Sequence, residues 1–248
     1  MAIDPQGKTV LITGANRGIG LAFAQAFLAA GVAKLYATAR KPESVQPLID
    51  KHGDKVIALA LDLSDEASVN AAAATASDVD IIVNNGGVLT HGDYTGDDVY
   101  KNLDFEIDVN VKGLIRIARA FAPVLKANGG GALATLNSVA SIRNFAVFTT
   151  YCASKAASYS ITQGLHDLLA EQGTEVVSIH PGPIATDMID GTGFESDAPP
   201  PSVVADALID SLKAGEFHCF PDEFAKQFWA GYESFGNSVV EPAMTEEA

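Results

Sequence analysis

The feature that constrains this chain most is a glycine-containing loop between an apolar run and an alanine-rich segment. Residues 8–13 are rich in β-branched side chains and end abruptly, as a buried parallel strand does. The loop from Gly14 to Gly20 follows, and residues 21–30 have the composition of a helix. Because a strand, a glycine loop and a helix in this order build the phosphate site of dinucleotide-binding proteins, the sequence predicts such a site near the N-terminus.

Three glycines of this loop have distinct expected roles. Gly14 permits a tight turn, Gly18 lets the backbone approach a pyrophosphate, and Gly20 lets the helix pack close to the strand. Free N–H groups and the dipole at the helix N-terminus favour an anion there. A plain turn is the alternative interpretation, and the order of the elements favours the nucleotide site.

A pair of arginines predicts which nucleotide the site prefers. The second predicted strand, residues 34–38, is followed by Ala39 and Arg40, where NAD-binding sequences usually carry an acid for the ribose 2′-hydroxyl. Arg40 and Arg17 of the glycine loop can converge on a 2′-phosphate, because a guanidinium fork donates two hydrogen bonds at once. Two solvated surface arginines are the alternative. We therefore expect NADP(H) in preference to NAD(H).

Strands and helices alternate along the whole chain. Further strands are predicted over residues 55–61, 80–83, 131–136, 175–180 and 217–220, and helices over residues 66–76, 105–128, 150–171 and 202–214. No linker, repeat or low-complexity segment interrupts them. We therefore expect a single α/β domain over residues 1–248, of the doubly wound Rossmann type, with a mostly parallel seven-stranded sheet and helices on both faces.

Two segments near the C-terminal end complete this domain. Residues 187–201 contain two glycines and three consecutive prolines, and form either a lid over the cleft or a plain surface loop; length and position favour the lid. The aromatic spacing in residues 223–240 suits a helical tail on the cleft rim or a subunit contact. Residues 241–248 are expected to fray.

Polar residues follow several strands at the predicted carboxyl edge of the sheet, where ligands bind in open α/β folds. Asp62 either meets an adenine amino group or caps the helix that residues 64–66 begin. Asn84 and Gly86 supply a side-chain amide and flexible backbone, and the Ser138 hydroxyl can face Tyr151.

Tyr151 and Lys155 form a candidate acid/base pair. They lie one helical turn apart, so both side chains can point into the same cleft. An ammonium about 4 Å from the phenol can lower the tyrosine pKa by up to about 3 units, so that the phenol exchanges a proton near pH 7. An exposed tyrosine with a solvated lysine is the alternative, and the remaining motifs decide between the two.

Asn110 is an unusual residue for the interior of a helix over residues 105–128, because its amide competes for backbone hydrogen bonds. A kinked turn that frees a carbonyl for ordered water is one explanation. Tolerance of an exposed asparagine is the other, and the sequence alone favours it.

Charge and composition exclude several classes of partner. The net charge is −15 and the pI is near 4.5, so the surface repels nucleic acid and anionic lipid. The two cysteines suggest no disulfide framework or metal site, and Cys152 is expected to pack rather than act as a nucleophile. No signal region and no run of about 18 apolar residues is present, so we expect a cytoplasmic protein without a membrane anchor.

The substrate pocket is expected to be largely apolar. Phe145 and Phe148 precede the Tyr151 helix, and Met188 and Phe194 lie in the predicted lid. Core packing explains any one of these side chains equally well. A small-molecule ketone or aldehyde of apolar character is the substrate class that they suggest.

These motifs follow one another along the chain in an order that resembles the short-chain dehydrogenase/reductase family, in its compact single-domain branch. The resemblance covers residues 7–221. One departure is the pair Gly86-Gly87, because the family usually has an alanine before the glycine; this is expected to loosen the loop beside the cofactor. The matching residues are Thr13-Gly14-x-x-x-Gly18-Ile19-Gly20, Asp62-Leu63, Asn84-Asn85-Gly86, Asn110, Ser138, Tyr151-x-x-x-Lys155 and Pro181-Gly182.

The resemblance implies a role for each matching residue. Tyr151 would be the general acid/base, Ser138 would orient the substrate carbonyl, and Lys155 would hold the nicotinamide ribose and lower the tyrosine pKa. Asn110 would hold a water that links Lys155 to solvent. The implied cofactor contacts are Gly14, Asn16, Arg17, Gly18, Ile19 and Gly20 at the phosphates, Arg40 at the 2′-phosphate, Asp62 and Leu63 at the adenine, Asn84 and Gly86 near the ribose, and Pro181, Gly182, Ile184 and Thr186 near the nicotinamide.

The implied activity is an NADP(H)-dependent carbonyl reductase or alcohol dehydrogenase. The resemblance also implies a homodimer or homotetramer, formed through residues 111–128 and 150–171, where Ala156, Ala157, Ser160 and Gly164 permit close helix contact. Two rival functions remain. A non-catalytic NADP-binding sensor or scaffold would not need Ser138, Tyr151 and Lys155 together, and a lyase or dehalogenase on this fold would not need the intact glycine loop.

Overall fold

A computed structural model describes residues 2–241 and contains one parallel sheet of seven strands. The predicted frayed end therefore lies, apart from Glu241, outside the described residues. The spatial order of the strands is β3-β2-β1-β4-β5-β6-β7, and every neighbouring pair is parallel. The strands are β1 Thr9–Ile12, β2 Lys34–Ala39, β3 Val56–Ala60, β4 Ile81–Asn84, β5 Gly131–Leu136, β6 Thr174–Ile179 and β7 His218–Cys219.

Helices cover both faces of this sheet, as the apolar runs of its strands require. One core places Phe23, Phe27 and Leu208 against the sheet, and the other places Ile117 and Phe121 on the opposite face. The predicted doubly wound fold is thereby confirmed. In the described residues the α-helices are α1 Gly18–Ala29, α2 Gln46–His52, α3 Glu66–Thr75, α4 Val99–Glu106, α5 Gly113–Ala127, α6 Thr149–Ala170, α7 Ser202–Ala214 and α8 Glu223–Phe235.

The strand order changes direction between β1 and β4, and this position determines where a ligand can bind. The glycine loop follows β1, and Asn85 follows the neighbouring strand β4. The carboxyl ends of β5 and β6 lead to Ser138 and to the Pro181–Gly182 turn. All of these loops therefore meet at one edge of the sheet.

The prediction of one continuous helix over residues 105–128 is wrong, because the helix starts earlier and is interrupted. It begins at Val99, and a π-helical segment, Ile107–Lys112, joins α4 to α5. Asn110 lies in that segment and is 4% exposed, so the interpretation as an exposed asparagine is also wrong. The wider turn lets the Asn110 amide bond to the chain at Val88 on the sheet edge, and this contact stabilises the irregular backbone.

The C-terminal tail folds back onto its own subunit. Trp229 of α8 stacks on Phe220 with ring centroids 4.9 Å apart, and the Tyr232 hydroxyl lies 3.1 Å from that of Tyr159 on α6. Phe224, in the first turn of α8, reaches the cleft. The helical tail therefore reaches the cleft rim of its own protomer, which is one of the two interpretations of its aromatic spacing.

Candidate active site

Two adjoining cavities open at the carboxyl edge of the sheet. The larger, of about 650 Å³, runs along the glycine loop to Arg40 and Asp62. The smaller, of about 120 Å³, lies beside Ser138 and Tyr151. Asn85, Gly87 and Thr186 line both, so the two cavities form one elongated cleft.

The glycine loop has the geometry that a phosphate site requires. Gly14 and Gly18 have φ angles of +67° and +52°, a region that favours glycine. A Cβ atom on Gly20 would collide with the Gly14 carbonyl oxygen, which explains why this position has no side chain. Gly14, Asn16, Gly18, Ile19 and Gly20 all line the larger cavity, where the first N–H groups of α1 are available to an anion.

Thr13 and Asn85 hold the glycine loop in place, although neither was predicted as a site residue. The Thr13 hydroxyl accepts hydrogen bonds from the backbone N–H groups of Asn85 and Gly86, at 2.9 and 2.8 Å. The Asn85 side-chain amide donates to the Thr13 carbonyl at 2.8 Å. Asn84, which was predicted as a ribose contact, is 5% exposed and lines neither cavity. The signal for Asn85 in the sequence is the motif Asn84-Asn85-Gly86, in which it directly follows β4.

One end of the larger cavity is lined by Arg40, Asp62 and Leu63, together with Lys41 and Ser44, which were not predicted. Asp62 does not cap α3, because Asp65 accepts the capping hydrogen bond from the Ala67 N–H at 2.9 Å. The Asp62 carboxylate instead accepts from the backbone and hydroxyl of Ser64. These two hydrogen bonds, with a smaller contribution from the Arg40 charge, hold the pKa of Asp62 below its ordinary value. Asp62 therefore remains a carboxylate facing the cleft.

Arg17 joins the glycine loop to the predicted lid. Its guanidinium donates to the Asp187 carboxylate at 2.8 Å, and both side chains are exposed. Residues 187–201 form two short 3₁₀ turns, Asp187–Ile189 and Glu195–Asp197, with bends between them. Met188, Ile189, Thr192 and Phe194 of this segment line the smaller cavity. The segment therefore forms one wall of the smaller cavity, and its action as a lid stays a prediction.

Ser138, Tyr151 and Lys155 come together in the smaller cavity. The Ser138 hydroxyl faces the Tyr151 phenol and favours its ionised form. The Ser138 oxygen also accepts from the Ala140 N–H at 3.1 Å, which holds the side chain at the start of a 3₁₀ turn. Tyr151 is 9% exposed, so most of its side chain is buried beside this cavity.

The expected lowering of the Tyr151 pKa by Lys155 is wrong for this structure. Burial raises the pKa of the Tyr151 phenol, and Ser138 opposes this only in part. The Lys155 ammonium lies 5.8 Å from the centre of the Tyr151 ring and donates to the Leu136 carbonyl at 2.7 Å. Burial lowers the pKa of Lys155 to about 8. The phenol is therefore protonated at neutral pH and can donate a proton.

Asn110 fixes the segment that follows Gly87. Its Oδ1 accepts from the Val88 N–H at 2.9 Å, and its amide donates to the Val88 carbonyl at 2.9 Å and to the Ser154 hydroxyl at 3.0 Å. A Cβ atom on Gly87 would lie 3.1 Å from Asn110 Oδ1, and one on Gly86 would lie 2.8 Å from a Leu63 methyl group. The two glycines therefore allow close packing, and the expectation of a loosened loop is wrong.

The four residues predicted to contact substrate all line the smaller cavity. Phe145 and Phe148 contribute from the segment before α6, and Met188 and Phe194 contribute from the lid. Leu89, Val139 and Phe224 also line this cavity and were not predicted, because their approach to it depends on loop and tail positions. Pro181, Gly182, Ile184 and Thr186 border the same cavity. Cys152 is buried beside it, and its sulfur accepts from the Phe145 N–H at 3.3 Å.

Residues 2–241 contain no group of three or more metal-type ligands. No helix within the same range combines the length and the hydrophobicity that a membrane crossing needs.

Known proteins resemble this chain over most of its length. The chain is 32% identical over 231 residues to the oxidoreductase UcpA of Salmonella typhimurium, which covers 86% of this chain and 87% of that protein. It is 35% identical over 222 residues to the galactitol 2-dehydrogenase of Agrobacterium fabrum, which covers 84% of this chain and 79% of that protein.

A solved structure has the same fold. The short chain dehydrogenase from Burkholderia cenocepacia, in complex with NADP, superposes with a TM-score of 0.87 at 27% identity, over 97% of this chain and 100% of that chain. A 3-ketoacyl-(acyl-carrier-protein) reductase from Brucella melitensis, complexed with NADH, superposes with a TM-score of 0.78 at 26% identity, over 86% of this chain and 96% of that chain. The sequence model of the short chain dehydrogenases matches residues 8–194. Together with the cleft geometry, this match means that the chain belongs to the short-chain dehydrogenase family of oxidoreductases.

Proposed function

We propose that this protein is an NADP(H)-dependent oxidoreductase that interconverts a carbonyl compound and an alcohol, with Tyr151 as general acid/base. The observation that carries the proposal is the buried Tyr151 phenol beside the Ser138 hydroxyl, in a cavity continuous with the glycine-loop cleft. A phenol placed in this way can exchange a proton with a substrate oxygen, which is worth about 10²–10⁴ in rate.

The residues of the larger cavity fit a dinucleotide. The tight contact between Gly20 and the Gly14 carbonyl leaves the α1 N-terminus open to phosphates, which Gly14, Arg17 and Ile19 would line. Asp62 and Leu63 would contact the adenine, and Ile184 and Thr186 would lie by the nicotinamide carboxamide. When bound, the nicotinamide supplies or accepts the hydride.

The chain's own residues would handle the proton and the orientation of the substrate. In the reductive direction Tyr151 gives its proton to the carbonyl oxygen, and Ser138 donates a hydrogen bond that holds this oxygen in place. Lys155 lies one turn along α6 from Tyr151 and borders the same cavity, where it would contact the nicotinamide ribose. Residues 187–201 act as a lid that excludes water from the reacting groups.

The proposed preference for NADP(H) rests on the cationic end of the larger cavity. Arg40 and Lys41 line it, and Arg17 lies at the same cavity. The Arg40→Ala variant is expected to lose at least about tenfold in kcat/KM for NADPH, since an arginine–phosphate pair contributes about 1.5–3 kcal/mol. Its kcat/KM for NADH should change only about threefold or less. Arg119→Ala, at an exposed arginine paired with Glu66, is the matched control. A parent enzyme that prefers NADH would contradict the assignment.

The proposed substrate carries an apolar body next to the reacting carbon. The side chains around Ser138 and Tyr151 are mainly phenylalanine, leucine, valine and isoleucine. A polyol, the substrate class named for the galactitol 2-dehydrogenase relative, would leave several buried hydroxyl groups without partners here. A ketone or aldehyde, or the corresponding alcohol, of moderate size and apolar character fits this lining better.

The Tyr151→Phe variant tests the proposal. Turnover of a panel of apolar ketones and aldehydes, followed by NADPH absorbance, is expected to fall at least about 100-fold, because the proton donor is removed. NADPH affinity, measured by fluorescence titration, should stay within about threefold of the parent. Tyr100→Phe, at a tyrosine that is 81% exposed, should match the parent in both measurements. Binding of NADPH without turnover of any carbonyl compound would instead favour a non-catalytic NADP-binding protein.

A further inference from the structure

We propose that Asp222 is a positioning residue for the reaction, and that Phe224 beside it is a specificity-determining residue for a ring-bearing substrate. The proposal rests on the proposed function, because both residues act on the same cleft. It concerns the start of α8, which lies beyond residues 8–194 that the family sequence model matches. The match to the family sequence model therefore does not extend to this wall of the cleft.

Asp222 connects two separate parts of the chain through one buried carboxylate. Its Oδ1 accepts from the Ala225 N–H at 2.9 Å and so caps α8, while its Oδ2 accepts from the Gly182 N–H at 2.8 Å. The residue is 3% exposed. Hydrogen bonds to a charged acceptor are strong, and removing the acceptor would leave two N–H groups buried without a partner. Asp222 thus holds the first turn of α8 against the Pro181–Gly182 turn.

The contact between these two turns leaves no space between them. A Cβ atom on Gly182 would lie 2.8 Å from Asp222 Oδ1 and 2.8 Å from Phe224 Cδ1. The absence of a side chain at Gly182 therefore allows the direct approach of α8. A displacement of α8 must also move the Pro181–Gly182 turn.

The Pro181–Gly182 turn is also hydrogen-bonded to Ser138, the residue that would orient the substrate. The Pro181 carbonyl accepts from the Val139 N–H at 3.1 Å and from the Ser138 hydroxyl at 3.4 Å. The chain of contacts runs from Asp222 through Gly182 and Pro181 to Ser138. Asp222 therefore acts on the reaction through the position of Ser138, without touching the substrate.

Phe224 forms the part of this wall that faces the smaller cavity. Phe228 supports it from behind, with ring centroids 5.2 Å from Phe224 and 6.3 Å from Phe145. The middle of α8 is held independently by the stacking of Trp229 on Phe220. Since α8 is held at its first turn and at its middle, Phe224 presents a fixed surface to the substrate.

Four phenylalanine rings, those of Phe145, Phe148, Phe194 and Phe224, line the smaller cavity. Aromatic side chains prefer stacked or edge-on contacts with another ring, and such pairs contribute beyond the area that they bury. The substrate class that fits is therefore a ketone with a planar ring next to its carbonyl. Acetophenone and butan-2-one, a methyl ketone with and without a ring, are suitable probes.

Kinetics with NADPH separate the two roles. The Phe224→Ala variant is expected to raise KM for acetophenone, so that the ratio of kcat/KM for acetophenone over butan-2-one falls about tenfold. The Asp222→Ala variant is expected to lower kcat for both ketones about tenfold, with KM within about threefold. Asp222→Asn keeps one acceptor oxygen without the negative charge and should be intermediate. Glu223→Gln, at the exposed neighbouring acid, should match the parent.

Hydrogen exchange provides a readout that does not depend on turnover. In Asp222→Ala, peptides covering residues 138–142 and 181–184 should exchange faster than in the parent, and in Glu223→Gln they should not. Unchanged exchange in Asp222→Ala and Asp222→Asn would overturn the positioning role. A parent enzyme without preference for acetophenone, or an unchanged ratio in Phe224→Ala, would overturn the specificity role. If the parent reduces no carbonyl compound, the proposed function fails, while the exchange result still decides on Asp222.

Discussion

Burial shifts the pKa values of Tyr151 and Lys155 in opposite directions, and in both residues it favours the uncharged form. It raises the pKa of the phenol and lowers that of the ammonium, so both side chains are favoured in their neutral forms. The short distance between the two residues along α6 predicts an interaction but not its strength. The depth of the cleft decides which effect is larger, and the residue spacing contains no information about that depth.

The Lys155→Met variant tests this burial through the pH dependence of stability. Burial lowers the pKa of Lys155 from 10.5 to about 8, so between these values the unfolded parent binds more protons than the folded parent, and parent stability rises with pH. The variant lacks this group. Its stability relative to the parent should therefore be highest below pH 8 and should decrease by about 3 kcal/mol as the pH approaches 10.5.

Urea unfolding of parent and variant at pH 7 and pH 10 measures this change. The lost hydrogen bond to the Leu136 carbonyl costs about 1 kcal/mol at each pH, so the difference between the two pH values is diagnostic. Lys101→Met, at a lysine whose side chain is 81% exposed, should show no such dependence. A stability difference for Lys155→Met that does not vary with pH would contradict the burial of an amine with a lowered pKa.

At the scale of elements, the glycine loop packs so closely against the first helix that no side chain fits between them. Gly20 lies in the first turn of α1 against the Gly14 carbonyl and the Asn85 amide. The Gly20→Ala variant must displace the loop backbone, because its Cβ atom would meet the Gly14 carbonyl oxygen rather than a flexible side chain. We expect NADPH affinity to fall at least about tenfold, and stability to fall by about 1–3 kcal/mol.

Gly231→Ala is a matched control for this substitution. Gly231 is an exposed residue within α8, and no atom lies within 4 Å of its expected Cβ position. Alanine should stabilise this helix by up to about 1 kcal/mol and leave NADPH binding unchanged. Fluorescence titration and thermal unfolding of both variants give the comparison. Parent-like NADPH affinity in Gly20→Ala would mean that the loop does not hold the nucleotide.

At the scale of the whole molecule, α6 presents a stripe of small residues to the outside. Ala156, Ser160 and Gly164 are exposed and four residues apart, so they lie along one face of the helix, and Leu168 extends this face with 71% exposure. Ala157 is partly buried at its border. Small residues let two helices approach closely, and we infer that a second copy of the chain packs here to form a homodimer or homotetramer.

The Gly164→Arg variant is expected to weaken this association. A large charged side chain at the centre of the stripe prevents close helix contact, while the fold tolerates it because nothing lies within 4 Å of the Cβ position. Sedimentation velocity at several protein concentrations should give a smaller particle than for the parent. Gly231→Arg, an equivalent change on exposed α8, should leave the parent mass unchanged. A monomeric parent, or a variant of parental mass, would contradict the inferred interface.

The parts of this protein that depend on local chemistry could be predicted from the amino-acid sequence. Backbone conformation depends on each residue and its neighbours, so the strand Gly131–Leu136 and the helix Ser202–Ala214 were predicted at their observed positions. The first helix was predicted over residues 21–30 and begins three residues earlier, at Gly18. The parallel sheet followed from the alternation of strands and helices, since parallel strands need a crossover between them. The same local patterns brought Ser138, Tyr151 and Lys155 to one edge of that sheet.

The tertiary structure alone decided the features that depend on distant partners. The π-helical segment around Asn110 exists because Val88 bonds to the asparagine amide, and the protonated Tyr151 reflects the depth of the cleft. The approach of α8 to Gly182 joins residues 40 positions apart. A sequence pattern records which groups are available, whereas burial and long-range hydrogen bonds arise only when the chain is packed in three dimensions.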